Sequence, residues 1–336
     1  MTIFLTGATG YLGGDTLHQL IESGIPASQI SCLVRSEEKA KPVEAAYPGI
    51  RIVIGDLDNS ALLETESEAA NIVLNLASTS HAGGFSAIAK GLTRKAKPGY
   101  WIQIGGASVV SARDVEEKRW GEPPEASYDD AKDSDAIVSL IKANKKRVAE
   151  NILLSQPSDA LNYALILGPL IYGDGRGPVH QRSMQAPDIA KVTLQRKKGF
   201  TLGRGLNIWS NIHVRDISSQ VGKLVQAAQK SHRDDLWNAK GIYAVENGQM
   251  EFGELSRRIA KSAHEQGFID SPSSDDKITG DQADSLVGHA SVLWGTNAVL
   301  KSTKSQSLLG WKAQQPSLAE LVPAIVKEEA AALEGK

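Results

Sequence analysis

The chain has 336 residues, 41% of them hydrophobic, and a formal net charge of −2 at pH 7. This length can bury a large core, and the near-neutral charge gives no electrostatic reason to expect a nucleic-acid or membrane partner. The sequence shows no signal peptide and no apolar run of about 20 residues, so a cytoplasmic protein is expected. The one cysteine, Cys32, lies in an apolar stretch and is expected to be a buried, unreactive side chain.

Short apolar runs alternate with amphipathic segments through the first half of the chain. The runs rich in β-branched residues are TIFLT, ISCLVR, IRIVIG, NIVLNLA, YWIQIG and NYALILG. Between them the periodicity predicts helices over residues 12–23, 37–46, 60–69, 81–96 and 136–154. This order predicts an α/β fold with a Rossmann-type, doubly wound parallel sheet, which would bind ligands at the carboxyl ends of its strands.

The second half of the chain has a different character after Gly168, with glycine-rich loops and a helix-rich end. We expect residues 1–170 to form a dinucleotide-binding Rossmann domain and residues 171–336 to form a smaller substrate-binding lobe. Residues 206–230, which include a predicted helix over 216–229, are a candidate segment for returning to the first domain. The stretch SPSSDDK is expected to be an exposed loop.

The first predicted strand is followed by TGATGYLGG, in which Gly7, Gly10 and Gly13 have the spacing GxxGxxG. Backbone without side chains can approach a pyrophosphate, and the N-terminus of the following helix offers free N–H groups and a partial positive charge. The alternative is a tight strand-to-helix turn with no ligand. The cofactor contacts predicted in this stretch are Thr6, Gly7, Thr9, Gly10, Tyr11, Leu12 and Gly13.

Two further strand ends suggest which dinucleotide is bound. Arg35 follows the second strand, where an acidic residue would bind the adenosine ribose of NAD, and an arginine there favours the 2′-phosphate of NADP. The alternative is a solvated surface arginine. After the third strand, Asp56 could accept from the adenine amino group and Leu57 could pack on its ring. Asp56 could equally cap the following helix.

These motifs resemble an extended, atypical short-chain dehydrogenase/reductase of the epimerase/dehydratase type. The resemblance rests on TGATGYLGG, LVRS, GDLD, NLAS, GPLIYG and NIHVRDI, and it runs over nearly the whole chain. Two longer stretches, NIVLNLASTSHAGGFSAIAKGL and SLLGWKAQQPSLAELV, are similar to fungal members described as NmrA-like or nucleoside-diphosphate-sugar epimerase-like. The resemblance implies that Leu76, Ala77 and Ser78, after the fourth strand, also contact the cofactor.

The resemblance also implies a catalytic serine and a Tyr-x-x-x-Lys pair, in which the lysine and the oxidised nicotinamide lower the pKa of the tyrosine. Ser108 is the hydroxyl nearest the end of the fifth strand. Lys146, followed by Glu150, fits the family's lysine, but Lys142 stands four residues earlier where a tyrosine is expected. A literal Tyr-x-x-x-Lys begins upstream at Tyr128, in an acidic segment. The predicted catalytic residues are therefore Ser108, Tyr128 and Lys146, the last also as a contact to the nicotinamide ribose.

Three other polar residues are candidates for the substrate pocket: His81, Tyr172 and Arg176. Their alternatives are a helix cap for His81 and a surface turn for the other two. The scattered histidines have no metal-ligand spacing, so no metal is expected.

Three functions remain open. The first is an NADP-dependent oxidoreductase acting on a small carbonyl or hydroxyl compound, with hydride transfer from the cofactor. The second is an NmrA-like regulator that binds NADP without turnover, and the third is a non-redox isomerase, epimerase or cyclase. A small-molecule substrate is the expected partner, and a homodimer is left open.

Overall fold

The computed structural model describes residues 1–230 and 233–335. Its strands, numbered in chain order, are β1 Ile3–Thr6, β2 Ile30–Val34, β3 Arg51–Ile54, β4 Ile72–Asn75, β5 Gly99–Gly106, β6 Tyr128–Asp129, β7 Leu161–Gly168, β8 Leu170–Tyr172, β9 Phe200–Leu202, β10 Ile208–His213, β11 Ile242–Ala244, β12 Gln249–Glu251, β13 Asp276–Ile278 and β14 Leu300–Lys301. Its α-helices are α1 Tyr11–Glu22, α2 Glu37–Ala46, α3 Ser60–Ala69, α4 Ala82–Thr93, α5 Ala112–Glu116, α6 Ser134–Ala143, α7 Val148–Leu154, α8 Gln185–Arg196, α9 Val214–Gln229, α10 Phe252–Glu265, α11 Gly280–Leu286, α12 Ala290–Gly295, α13 Thr303–Leu309 and α14 Leu318–Glu334.

A seven-stranded parallel sheet forms the centre of the molecule, in the order β11-β7-β5-β4-β1-β2-β3. The six apolar runs are β1 to β5 and β7, so the predicted Rossmann-type parallel sheet is confirmed. Sequence reasoning missed the seventh strand, β11, which is only three residues long and comes from the second half of the chain.

Apart from the edge strand β3, which is partly exposed, both faces of the sheet are buried, which explains why its strands are mostly apolar rather than alternating. Phe4 points to one face and packs in the same cluster as Phe85 of α4. Its neighbour Leu5 points to the other face, in a cluster with Leu17 of α1 and Val221 of α9. Cys32 of β2 is fully buried in that second cluster, as predicted, and burial raises the pKa of its thiol to about 12.

Four of the predicted helices in the first half match α1 to α4 closely, and α2 and α3 have the predicted bounds. The single helix predicted over residues 136–154 is wrong, because a turn at 144–147 divides it into α6 and α7. Asn144 is the cause. Its side-chain oxygen accepts a hydrogen bond from the N–H of Lys146 at 3.0 Å, and its backbone oxygen accepts from Arg147 at 2.9 Å. Such an asparagine turn competes with helix.

The second half builds small sheets around the helices α8, α10 and α14, which pack together. These sheets are β12-β10-β8 and the pair β13-β9, and a third small sheet pairs β14 with β6 of the first half. Helix α9 comes from the second half of the chain but packs on α1 of the first half. At this contact the hydroxyls of Thr16 and Ser218 lie 3.3 Å apart. The domain division at residue 170 stays a prediction. Of the helices that the structure describes, none is both long and apolar enough to cross a membrane.

Candidate functional site

A cavity of about 620 Å³ opens where strands β1 to β4 end. The winding of the sheet reverses between β1 and β4, which is where ligands bind in open parallel sheets. The residues lining the cavity are Gly7, Thr9, Gly10, Leu33, Arg35, Lys39, Gly55, Asp56, Leu57, Asp58, Leu76, Ala77, His81, Val179 and His180. Most of them follow the four strands, and the last two come from the loop after β8.

The three glycines of the loop after β1 serve different purposes. Gly7 has φ +87°, and a Cβ there would lie 2.8 Å from the backbone nitrogen of Ala77. A Cβ on Gly13 would lie 2.1 Å from the carbonyl oxygen of Gly7. Gly10 has φ −86°, lines the cavity, and would bring a Cβ no closer than 3.2 Å to Gly7. Gly7 and Gly13 are therefore needed to fold the loop, whereas Gly10 keeps the cavity open.

The amino end of α1 is suited to a phosphate group. Gly10 precedes the helix and supplies no side-chain acceptor, so the first-turn N–H groups are not capped by it. Tyr11 and Leu12 stand there, but their side chains turn away from the cavity. The Tyr11 hydroxyl donates to the carbonyl of Gly173, and burial raises its pKa, while Leu12 packs in the core.

Beneath the glycine loop lies a buried polar network. The hydroxyl of Thr6 donates to Asn75 Oδ1 at 2.6 Å, and Asn75 Nδ2 donates to Gln103 Oε1 at 2.8 Å. Gln103 Nε2 in turn donates to the carbonyl oxygen of Ser78 at 3.1 Å. Thr6 is fully buried and supports the loop from below rather than lining the cavity. The Ser78 hydroxyl accepts from the N–H groups of Ser80 and His81.

Two cations stand at the cavity wall after β2. Arg35 and Lys39 are both exposed, both line the cavity, and neither side chain forms an ion pair or hydrogen bond with any residue that the structure describes. Sequence reasoning predicted Arg35 and missed Lys39. Lys39 lies in the first turn of α2 and Arg35 precedes the helix, so no helical spacing in the sequence relates the two side chains.

The cavity residues after β3 and β4 include acidic and apolar side chains. Asp56 lines the cavity, and its Oδ1 accepts from the N–H of Asp58 at 3.0 Å. Asp56 does not cap α3, because the residue at that position is Asn59, and its contact to an adenine stays a prediction. His81 also lines the cavity. Its Nδ1 accepts from Gly84 N–H at 2.9 Å, and therefore its Nε2 carries the proton that points to Asp58 Oδ1, 3.1 Å away. His81 caps α4, as its alternative predicted.

Comparisons with known proteins decide the family. The sequence profile of the NAD dependent epimerase/dehydratase family matches residues 3–92. Oxidase ucsJ of Acremonium sp. is 35% identical over 340 residues, which cover 98% of this chain and 97% of the oxidase. The chain belongs to the NAD-dependent epimerase/dehydratase family of extended short-chain dehydrogenases/reductases. An uncharacterized Saccharomyces cerevisiae protein is 23% identical over 95% of this chain and 97% of its own length.

Solved structures of this family share the fold. The dTDP-glucose 4,6-dehydratase DesIV of Streptomyces venezuelae, with NAD and TYD bound, superposes with a TM-score of 0.68 at 17% identity, over 100% of this chain and 98% of DesIV. The human epimerase family protein SDR39U1 with NADPH gives a TM-score of 0.59 at 14% identity, over 97% and 99% of the two chains. Members with this fold thus include proteins solved with either dinucleotide.

At the end of β5 this family member departs from the pattern that the resemblance implies. Lys146 lies in the turn between α6 and α7 with an exposed side chain, not on a helix. The next residue, Arg147, points inward instead: its Nη2 donates to the Ser108 hydroxyl at 2.8 Å, and its Nη1 lies 3.1 Å from the buried carboxylate of Glu150. The structure therefore brings Arg147, which sequence reasoning did not consider, to Ser108.

The Tyr-x-x-x-Lys sequence that begins at Tyr128 is not helical. Tyr128 lies in β6, which pairs with β14, and Lys132 lies in the turn that follows. The nearby Asp130 is fully buried and accepts hydrogen bonds from the backbone N–H groups of Ala244, Thr303 and Lys304. Burial raises the pKa of Asp130 to about 6. This segment thus joins the first half of the chain to the second.

Tyr172 and Arg176 both make contacts within the protein. Tyr172 is fully buried, its hydroxyl donates to the carbonyl of Pro316 at 2.9 Å, and burial raises its pKa to about 12. Arg176 pairs with the buried Asp15 of α1. A substrate role for them stays a prediction, as do the catalytic roles of Ser108, Tyr128 and Lys146. Among the described residues, no cluster of three or more His, Cys, Asp or Glu side chains could hold a metal.

Proposed function

We propose that the protein is an NADP-dependent oxidoreductase that binds NADP(H) in the cavity at the glycine loop and acts on a small carbonyl or hydroxyl compound. One observation carries the choice of NADP: Arg35 and Lys39 both line the cavity after β2, and neither is neutralised by a described residue. Two free cations would pair with a 2′-phosphate, which NAD lacks, and an NAD-binding site would place a carboxylate there.

The other cavity residues fit the remaining parts of the dinucleotide. Thr9, Gly10 and the amino end of α1 would hold the pyrophosphate, because the loop is free of bulk and the first-turn N–H groups are available. Leu33 and Leu57 offer apolar surface for the adenine. When bound, the nicotinamide supplies or accepts the hydride. The similarity to an oxidase supports redox chemistry over binding alone.

Ser108 and Arg147 are suited to holding a carbonyl oxygen at the end of β5. A guanidinium has donors and no acceptor, so the Ser108 oxygen must accept the hydrogen bond from Arg147. The hydroxyl hydrogen of Ser108 is then left to donate to a substrate carbonyl. The cationic neighbour makes that hydroxyl a stronger donor, because hydrogen bonds with a charged partner polarise the group between them.

Calorimetric titration with NADPH and NADH tests the choice of cofactor. The wild-type protein should bind NADPH more tightly, and Arg35→Ala or Lys39→Ala should each weaken NADPH by about 10- to 100-fold, since a hydrogen bond to a charged group contributes about 1.5–3 kcal/mol. NADH affinity should stay the same. Lys41→Ala is the matched control, because Lys41 is exposed on the same helix and does not line the cavity. Equal wild-type affinities for the two cofactors would refute the proposal.

The NmrA-like regulator is the second candidate, and the turn at 144–147 favours it because no tyrosine and lysine share a helix there. A panel of carbonyl compounds mixed with the NADPH complex in a stopped-flow instrument separates the two. The oxidoreductase should lose NADPH absorbance with at least one compound. A regulator should lose none with any compound, and its affinities for oxidised and reduced cofactor should differ. Conversion of a sugar-like substrate without net change in absorbance would indicate the isomerase or epimerase.

A further inference from the structure

The wall of the cofactor cavity is completed by the second half of the chain. Val179 and His180, from the loop 173–184 between β8 and α8, line the cavity together with the glycine loop. None of the sequence motifs for dinucleotide binding includes this loop. Contacts to the first half of the chain hold this loop at the cavity, and its tip reaches the space where a ligand would bind.

The loop 173–184 is fixed along the first turns of α1. Arg176 binds the buried Asp15 with two side-chain hydrogen bonds of 3.0 Å and a backbone hydrogen bond of 2.9 Å. A Cβ on Gly177 would lie 2.7 Å from the Cα of Gly14, so the two backbones are in contact. Gly175 lies against the ring of Tyr11. The loop therefore runs beside the helix turn whose N–H groups face the proposed pyrophosphate.

The tip of the loop 173–184 is a small closed turn. The N–H of Gly175 donates to the carbonyl oxygen of Gln181 at 3.0 Å, and the side chain of Gln181 donates to Gly177 O at 2.8 Å. Val179 and His180 stand at the apex, both exposed. The anchored base and the closed turn hold His180 at the cavity without burying it.

The two histidines of the cavity differ in what they bind. Both ring nitrogens of His81 are engaged, one by Gly84 and the other by Asp58. The ring of His180 forms no hydrogen bond to any residue in 1–230 or 233–335. His180 is thus the cavity histidine with both nitrogens available for a ligand.

We propose that His180 donates a hydrogen bond to the pyrophosphate of the bound dinucleotide, so that the second half of the chain closes over the cofactor. The pyrophosphate is favoured because the loop is fixed to the first turns of α1, whereas the two cations for the 2′-phosphate follow β2. The charged or titratable groups that share the cavity with His180 are Arg35, Lys39, Asp56, Asp58 and His81. The inference rests on dinucleotide binding in this cavity but not on the preference for NADP.

The test is calorimetric titration of the whole protein with NADP⁺ and NAD⁺. His180→Ala should weaken both cofactors by the same factor, about tenfold, because the variant loses a hydrogen bond to the charged pyrophosphate that both share. Met184→Ala is the control for disturbance of the loop 173–184, because Met184 is exposed in that loop and does not line the cavity. It should leave both affinities unchanged.

The outcomes are distinguishable. Wild-type affinity for both cofactors in His180→Ala would overturn the inference even where NADP⁺ is preferred. A loss confined to NADP⁺ would overturn it as well, since the contact would then be to the 2′-phosphate. Equal wild-type affinity for NADP⁺ and NAD⁺ would refute the proposed cofactor preference, and the His180 result would still be decisive. If neither dinucleotide binds, both proposals fail.

Discussion

The two parts of the proposed site, the cavity and the Ser108–Arg147 pair, are built in different ways. At the cavity, Gly10, Arg35 and Asp56 lie within four residues of the ends of β1, β2 and β3, and the cavity is formed where those strands end side by side. After β5, Ser108 binds a residue 39 positions away, and that contact depends on a turn set by Asn144. The proposed dinucleotide site rests on local geometry, whereas the proposed arrangement for catalysis rests on one turn and on contacts between distant segments.

The largest effect is expected at the glycine loop. Gly10→Val should abolish dinucleotide binding, because the side chain would fill the space that the pyrophosphate needs, while its φ of −86° suits a β-branched residue. The protein should stay folded, with a loss of about 1–3 kcal/mol in the free energy of unfolding, because the new Cβ would lie 3.2 Å from the Gly7 carbonyl oxygen and that oxygen must shift slightly. Calorimetry and thermal unfolding measure the two quantities. Gly13→Val is the contrasting variant and should not fold, since its Cβ would collide with the Gly7 carbonyl. Dinucleotide binding by a folded Gly10→Val protein would mean that the loop is only a turn.

The next effect tests the Ser108–Arg147 pair. If Arg147 sets the donor direction of Ser108, Arg147→Ala should slow turnover by about 10²- to 10³-fold, the loss typical of removing one oxyanion donor. Ser108→Ala should cost a similar factor, and the double variant should be no worse than either single change. Lys145→Ala, in the same exposed turn, is the control. If Arg147→Ala had normal turnover and Lys146→Ala lost it, Lys146 rather than Arg147 would be the residue that acts at this position, as the family pattern implies.

The contact between the two halves is expected to matter for stability. Arg176→Ala leaves the fully buried Asp15 without its partner, and breaking a buried ion pair in this way costs about 3–5 kcal/mol. Chemical denaturation measures the loss. Arg258→Ala, on α10, removes an ion pair to Glu254 in which both side chains are exposed, 46% and 37%, and should cost less than about 1 kcal/mol. Equal losses in the two variants would show that the Asp15 pair is not the anchor.

The same pair predicts how stability depends on pH. Burial alone would raise the pKa of Asp15, but hydrogen bonds from Arg176 and Ser218 outweigh it and lower the pKa below its ordinary value. A lowered folded pKa contributes stability above the unfolded value near 4 and loses it as the pH falls through the folded value. The difference in melting temperature between wild type and Arg176→Ala should therefore shrink below about pH 4. A constant difference down to pH 3 would contradict this.

The smallest effect is expected at Tyr128. Its ring packs against the core from a short strand, and Tyr128→Phe keeps that ring. Turnover should stay within about threefold of wild type and the free energy of unfolding within about 0.5 kcal/mol, as for substitutions that remove no buried partner. Steady-state kinetics and thermal unfolding are sufficient measurements. If turnover instead fell about a hundredfold or more while NADPH affinity stayed unchanged, Tyr128 would be the proton donor.

Particular residues show why the cavity could be predicted from the sequence and the Ser108–Arg147 pair could not. Each of the strands β1, β2 and β3 is an apolar run that can be recognised in the sequence. Gly10, Arg35 and Asp56 come soon after these runs, at the edge of the sheet where ligands bind, so they could be placed from the sequence alone. Asn144 ends α6 through two hydrogen bonds that no helical periodicity reveals, and the inward direction of Arg147 follows from it. The loop 173–184 reads as a surface turn because its anchor, Asp15, lies 161 positions away.

The short strand β11 has a consequence for how the protein is made. It completes the central sheet by pairing with β7, whose eight residues are all buried. While residues 242–244 are still inside the ribosome, a nascent chain that has already formed the other six strands exposes the backbone edge of β7. Unpaired apolar edges of this kind join other chains and aggregate. A gene fragment ending at residue 170 should therefore give insoluble product, and chaperone dependence should end only once β11 has emerged.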